Sequence, residues 1–233
     1  MKIPKHIGII CDGNRRFAKT LGNEVWEGHE YGADKIEEVL EWCNELGIKV
    51  LTLWLFSTEN FKRSKEEKNK LFEIAKKTSK KFIENPRTHK LKVKLHVVGD
   101  LSLFPEDVQT EVNKAIEITN NYDGFLLNIA VGYGGKQEIL EGTKRIAAQI
   151  ADKQLKPEDI TKKTLEANMY SRQIPNVDLV IRTSGEQRTS GFLLWKTDYA
   201  EYYFTDKFWP EFNKEDLIKA LVAYNERKRR FGI

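Results

Sequence analysis

The sequence predicts an α/β fold, with a central, mostly parallel six-stranded sheet flanked by helices in a single domain covering residues 1–233. Three observations carry that expectation. Short apolar runs rich in β-branched residues alternate with longer segments of helical period, and repeated strand-then-helix units join parallel strands. A length of 233 residues suits one domain, and 40% apolar residues can build a real core. No repeat, linker or low-complexity tract interrupts the pattern.

The elements follow in order. Ile7-Gly8-Ile9-Ile10-Cys11 is a short apolar strand. Residues 33–46 keep a helical period, with Ile36, Val39, Leu40, Cys43 and Leu46 on one face, and stop at Gly47 as a C-cap. Ile48 to Phe56 is apolar almost throughout, as a central strand buried on both faces requires. Residues 65–84 form a long amphipathic helix. Leu91, Val93, Leu95 and Val97 alternate with Lys92, Lys94 and His96, the pattern of a strand exposed on one side. Pro105 opens a helix that runs to Thr119. Phe125 to Val131 is a strand, 135–152 a helix, 160–170 another, and Asp178 to Arg182 a short strand. Phe192 to Trp195 and Tyr202 to Phe204 are further β-like pieces. Asn213 caps a last helix that reaches Arg227.

Thirty-nine basic residues against thirty-five acidic ones leave a net charge of +4, spread along the chain. That argues against nucleic acid as a partner, which calls for a dense basic face, and permits a local anionic ligand. Cys11 and Cys43 are too few for a disulfide framework or a Cys-rich zinc site, and both read as buried thiols. No apolar stretch approaches the roughly 20 residues of a membrane span. Met1-Lys2-Ile3-Pro4-Lys5 leads straight into the first strand without a signal-peptide core, so a cytoplasmic setting is expected.

In open parallel sheets ligands bind beyond the carboxyl ends of the strands. The first strand ends in Asp12-Gly13-Asn14-Arg15-Arg16. A tight turn accounts for Asp-Gly and Asn. Two consecutive arginines favour instead a site for a metal-bound diphosphate. The second strand ends in Ser57-Thr58-Glu59-Asn60-Phe61-Lys62-Arg63, either a capped helix entry or polar and basic groups set beside the first turn. Arg182 to Gly191 places Arg182 and Arg188 around Thr183, Ser184, Thr189 and Ser190, either an anion cradle or a solvated loop. Glu201, inside Tyr199-Ala200-Glu201-Tyr202-Tyr203-Phe204, needs a partner, for which a metal ion or an arginine would serve. His29 is a candidate for proton transfer, diphosphate contact or a structural hydrogen bond. His6, His89 and His96 have no partners at ligand spacing. P-loop, Gly-x-Gly-x-x-Gly and Gly-x-Ser-x-Gly sequences are absent.

His6 to Arg16, Gly28-His29, Leu51 to Phe61, Asn128 to Gly135, Asp178 to Glu186, Tyr199 to Phe204 and Arg229-Arg230-Phe231-Gly232 together resemble, in order, the motifs of the cis-prenyltransferases, the undecaprenyl diphosphate synthase family. The resemblance covers essentially the whole chain. It implies transfer of an allylic prenyl group from its diphosphate to isopentenyl diphosphate, with Mg²⁺ as cofactor and a new cis double bond at each step. The product would be a polyprenyl diphosphate, with glycosyl-carrier lipid as its destination. The Asp-Asp-x-x-Asp motif of trans-type synthases is absent, and no two aspartates are adjacent anywhere in the chain.

The resemblance also implies roles. Asp12 handles magnesium. Gly13, Asn14, Arg15 and Arg16 hold the primer diphosphate. Asn60, with Ser57, assists proton removal. Arg182, Arg188 and Ser190 cradle isopentenyl diphosphate, and Glu201 is a second metal ligand. Phe17, His29, Thr58, Glu59, Phe61, Arg63 and Thr189, in the same segments, complete the expected substrate-binding set. Arg230 and Gly232 would reach a neighbouring subunit's site, which implies a homodimer. A growing hydrocarbon needs an apolar tunnel, each buried CH₂ contributing about 0.8 kcal/mol. The stripes of helices 33–46 and 65–84 serve equally as its lining or as ordinary core. A greasy product is compatible with transient contact at the membrane surface. Arg15 stands where the family usually has glycine, Phe17 and Phe61 where it usually has tryptophan, and Val25 where a basic residue is common. The alternatives are prenyl transfer to another acceptor, or a supporting subunit of a heteromeric synthase.

Overall fold

A computed structural model describes residues 2–227 of the chain. Strand β1 (His6–Ile10) leads through a tight turn into α1 (Asn14–Thr20) and α2 (Glu27–Glu45). Then come β2 (Val50–Ser57), α3 (Lys65–Glu84), α4 (Pro86–Lys90), β3 (Val93–Val98) and α5 (Glu106–Thr119). The second half holds β4 (Phe125–Tyr133), α6 (Gly135–Ala151), α7 (Lys162–Ala167), β5 (Leu179–Arg182), β6 (Glu201–Phe204) and α8 (Lys214–Glu226).

The six strands form one sheet in the order β3-β4-β2-β1-β5-β6, and every pairing is parallel. All strand ends that carry the motifs therefore lie along one edge. From β1 the chain adds β2 alongside, places β3 one position further out, fills the gap between them with β4, and then crosses to the other side of β1 with β5 and β6. The order reverses between β1 and β5, which is where a crevice opens in such sheets. In register Ile10 stands beside both Trp54 and Arg182, so Asp12, Ser57 and Arg182 converge from three neighbouring strand ends.

Both faces of the sheet are covered, as near-continuous apolar strands demand. Ile7, Ile9, Leu51, Leu53, Leu95 and Leu127 face one core with α2 and α8, through Val39, Cys43, Leu217 and Leu221. Ile10, Trp54, Val98, Ala130 and Val180 face the other with Phe192 and Leu193. Both cysteines are buried thiols. Among the described residues no helix is long and apolar enough to cross a membrane.

The structure departs from the sequence expectation in three places. Residues 14–20 are helical and α2 begins at Glu27 rather than 33. Helix α1 is too short to show a hydrophobic period, and glycines hide the start of α2. Residues 192–195 are a turn, not a strand, because Ser190, Gly191 and Leu193 are left-handed, with φ of 51°, 90° and 43°. Its apolar residues mark burial of Phe192 and Leu193 under the sheet.

Candidate active site

The turn after β1 is built to hold a carboxylate at the sheet edge. Gly13 has φ 101°, and a Cβ there would lie 2.7 Å from Phe208 Cδ1 and 2.9 Å from Ser184 Cβ, so glycine is needed for conformation and for space. The Thr183 hydroxyl accepts from the Asp12 amide at 2.9 Å and donates to the Asp12 carbonyl at 2.7 Å, locking the turn to the end of β5. Asp12 Oδ1 accepts from the Gly13 amide at 2.7 Å and Oδ2 from Arg182 Nη2 at 2.8 Å. Arg16 Nη2 lies 3.7 Å from the same carboxylate.

Arg182 is 4% exposed and is spent largely on shaping the site. Its Nη1 donates to the Arg188 carbonyl at 2.5 Å and to Ser190 Oγ at 2.8 Å, folding the 183–191 loop back over the strand end. Arg188 points its own guanidinium outward, 61% exposed, onto Glu186. Glu186 also takes Arg16 at 3.3 Å, so one carboxylate bridges an arginine of α1 and one of the 183–191 loop.

Beside these groups lies a polar cleft of about 480 Å³. Of the candidate site residues, Asp12, Gly13, Asn14, Arg15, Arg16, His29, Ser57, Asn60, Arg63, Arg182 and Ser190 line it. Lys19, Trp54 and Leu55 also line it and were not anticipated. Phe17, Thr58, Glu59, Phe61, Arg188 and Thr189 are not among its walls. Phe17 packs edge-on against Tyr31, and Phe61 against Phe56 and Phe104. Arg230 and Gly232 lie outside the described residues.

Asn60 caps its own segment: its side-chain oxygen accepts from the Ser57 amide at 2.9 Å. The NH₂ end is thus the one left for the cleft. His29 is half-buried where α2 passes the cleft, its side chain 12% exposed, and Arg63 Nη1 stands 3.3 Å from its Nε2. Burial first, then the charges of Arg63 and Arg15, push its pKa down to about 3, so the ring is neutral at working pH. Among the described residues five buried side-chain polar atoms lack a partner, and three of them, Asn14 Oδ1, Trp54 Nε1 and Arg182 Nε, belong to cleft-lining residues. Such a concentration is expected where a polar ligand completes the bonding.

Beside the cleft lies an apolar cavity of about 170 Å³ under the sheet, bounded by β2, β3, β4, α2, α3 and α5. Cys11, Asn14, His29, Leu55 and Phe56 border both spaces. Beyond Ile36 and Phe82 a further void of about 60 Å³ reaches the seam between α2 and α3. Lys81–Asp34 at 2.9 Å and Arg87–Glu41 at 2.7 Å span that seam.

Asp12 is the one acidic side chain among the described cleft residues, and no group of three metal-ligating side chains occurs among the described residues. A cation here must bring most of its ligands. That fits magnesium, which is held by one or two carboxylates plus substrate phosphates and water. Glu201 does not share such a cation with Asp12 in one chain, contrary to expectation. It opens β6 in register with Leu179, whereas Asp12 lies past Ile10, which stands beside Arg182. The two are separated by roughly 16 Å along the sheet at about 3.3 Å per residue. Glu201 is instead paired with Arg227 at 3.0 Å, the arginine partner that the sequence allowed for.

The family model for undecaprenyl diphosphate synthases matches residues 10–232. The geranylgeranyl-diphosphate-specific tritrans,polycis-undecaprenyl-diphosphate synthase of Methanopyrus kandleri is 47% identical over 99% of this chain and 85% of its own. The protein of the same description from Methanocaldococcus jannaschii is 44% identical over 99% and 83%. Among solved structures, lavandulyl diphosphate synthase from Lavandula x intermedia in complex with dimethylallyl diphosphate superimposes with a TM-score of 0.92 at 36% identity, over 99% of this chain and 98% of that one.

Proposed function

Because the chain belongs to the undecaprenyl diphosphate synthase family of prenyltransferases, we propose that it elongates an allylic diphosphate primer with isopentenyl diphosphate in cis steps. One observation carries this reading: a cation-lined cleft at the strand ends borders an apolar cavity, sharing Cys11, Asn14, His29, Leu55 and Phe56 with it. A diphosphate and a hydrocarbon need those two environments side by side.

Two polyanions must lie together in the cleft, so their repulsion has to be offset. Arg15, Arg16, Lys19, Arg63 and Arg182 supply fixed positive charge around the single carboxylate of Asp12. Bound magnesium would neutralise charge developing on the departing diphosphate, and Asp12 would hold it there. The allylic C–O bond breaks, the isopentenyl double bond supplies the electrons of the new C–C bond, and a proton leaves to form the cis double bond. No protein group becomes covalently attached, so the residues act by positioning and electrostatics. Asn60 offers its NH₂ to a substrate oxygen; its own oxygen is committed to Ser57. Phe56, Leu71, Phe72 and Phe82 would receive the growing chain.

The related archaeal synthases are named for geranylgeranyl diphosphate, which makes a C20 allylic diphosphate the proposed primer here. The proposal includes a homodimer and a product used as a glycosyl-carrier lipid. The test is direct. Purified chain, magnesium, labelled isopentenyl diphosphate and primers from C5 to C20 should give longer butanol-extractable products, most efficiently from C20. No product with any primer would overturn the reading. A second reading, transfer to another acceptor, rests on Arg15 and Val25, which stand where the family usually has glycine and often a basic residue. Product that forms without isopentenyl diphosphate would establish it.

A further inference from the structure

Resting on that reading of the cleft, we propose that Ser184 is a positioning residue for the primer diphosphate. From outside the cleft wall its hydroxyl fixes the guanidinium of Arg16, and a left-handed backbone sets the hydroxyl in place.

Arg16 lines the cleft from α1, and its side chain is 46% exposed. A long side chain so placed samples many rotamers unless something holds it. Besides Asp12, three groups do so. Ser184 Oγ accepts from Nη2 at 2.5 Å, Glu186 Oε1 takes Nη1 at 3.3 Å, and the Phe208 ring centroid lies 5.6 Å from Cζ. A ring face attracts the cation without fixing its rotation. Glu186 also pairs with Arg188, and its side chain is 30% exposed, so solvent weakens its hold. Ser184 is buried, and its bond to the guanidinium is short, charge-assisted and directional.

The backbone at Ser184 singles it out. Its φ is 79°, a region that strains any residue with a Cβ and leaves glycine unstrained. The conformation is imposed from the β6 side. The Ser184 amide donates to the Lys207 carbonyl at 2.7 Å, and the Gly185 amide to the Thr205 carbonyl at 2.9 Å. Those bonds tie the loop after β5 to the segment that presents Phe208. Glycine would serve that backbone better. Serine adds a Cβ and a hydroxyl, and the hydroxyl goes to Arg16. Strain of this kind persists where the surroundings over-determine it, and it gathers at binding sites.

Two successive hydroxyls thus divide the work. Thr183 fixes the backbone of Asp12, and Ser184 fixes the side chain of Arg16, one helical turn further on. Ser184 is not among the residues that line the cleft, so it acts through Arg16 and not on the substrate.

The test measures both KM values for the parent, Ser184→Ala, Ser184→Gly, Arg16→Ala and the double variant Arg16→Ala with Ser184→Ala. Ser184→Ala keeps the Cβ and the strain and removes only the hydroxyl. It should raise the primer KM about fivefold, with kcat and the KM for isopentenyl diphosphate within about twofold of the parent. Ser184→Gly also relaxes the backbone; it should show the same rise and melt within a few degrees of the parent. In the Arg16→Ala background Ser184→Ala should raise the primer KM no further, because the hydroxyl then has nothing to position. An unchanged primer KM, an equal rise in both KM values, a rise that multiplies with that of Arg16→Ala, or loss of the fold in both Ser184 variants would each overturn the proposal. If the chain elongates no primer, the proposed function falls separately. The Kd for inorganic diphosphate then decides this inference. Binding several-fold weaker in Ser184→Ala upholds it, whereas equal Kd values, or no binding by the parent, refute it.

Discussion

Asp12 ties several parts of the cleft together. Its two oxygens take the Gly13 amide and Arg182, Arg16 stands near, and its backbone is tied to Thr183 and to the Trp209 amide at 3.0 Å. The carboxylate is 31% exposed, so solvent screens its ion pairs and their share of stability is modest. Its share of catalysis is larger, because a metal bound with two diphosphates has no other carboxylate in the cleft. Asp12→Ala should therefore lower kcat by roughly 100-fold or more while thermal unfolding moves by only a few degrees. Steady-state kinetics beside a melting curve check this, and a loss of activity that merely tracks a loss of folded protein would contradict it. The residues legible from sequence alone were those just past strand ends, where position and polarity coincide. Glu67, whose carboxylate accepts from the cleft-lining Arg63 at 3.1 Å, was not, since Ser64-x-x-Glu67 reads as an ordinary helix start. Its signal was the i,i+4 spacing from Arg63, which is common on any helix. For Glu201 an apolar setting shows that a carboxylate needs a partner without showing which one, and within the described chain Arg227 pairs with it.

At the scale of elements, the strands were readable and the α1–α2 pair was not. Strand signals come from continuous apolar runs, and β1, β2, β4 and β5 are buried on both faces. The α1–α2 pair depends on close approach, which leaves no periodic trace. A Cβ on Gly28 would sit 2.0 Å from the Asn14 carbonyl oxygen and 2.8 Å from its carbon, so α2 touches the backbone at the start of α1. Backbone cannot turn aside as a flexible side chain can. Gly28→Ala should push α1 off α2 and carry the Asp12-Gly13-Asn14 turn with it. The expected cost is about 1–3 kcal/mol from overpacking, with a loss of activity exceeding what unfolding explains. Gly142→Ala is the useful contrast. It lies within α6, and its nearest neighbour is the flexible Leu165 side chain at 3.3 Å. Helix propensity there favours alanine by about 1 kcal/mol, so stability should hold or rise. Equal effects of the two substitutions in urea unfolding would refute this account of the helix pair.

For the whole molecule, the sheet is crossed by a buried polar chain that sequence spacing could not reveal, since its members are partners only through strand register. His6 Nδ1 donates to the Pro175 carbonyl at 2.9 Å, and its Nε2 accepts from Thr52 at 2.8 Å. Asn128 donates to Thr52 at 3.0 Å and meets His96 at 3.1 Å, so the chain runs over β1, β2, β4 and β3. Burial holds the His6 pKa down to about 4, against the small upward pulls of its backbone contacts and Asp178, and His29 down to about 3. Both rings are neutral when folded and titrate near 6.5 when unfolded. Between those values the unfolded chain binds protons that the folded chain refuses, so stability is fully present above pH 6.5 and is lost as pH falls toward 4. Each histidine contributes a slope of about 1.4 kcal/mol per pH unit, and the pair roughly twice that. A domain holding about 5–15 kcal/mol in total would lose much of it between pH 6.5 and 4.5. Urea midpoints measured at pH 7, 6 and 5 should therefore fall steeply below 6.5, and His29→Asn should flatten that fall. Midpoints that stay level across the range would mean that neither ring is held neutral by the fold.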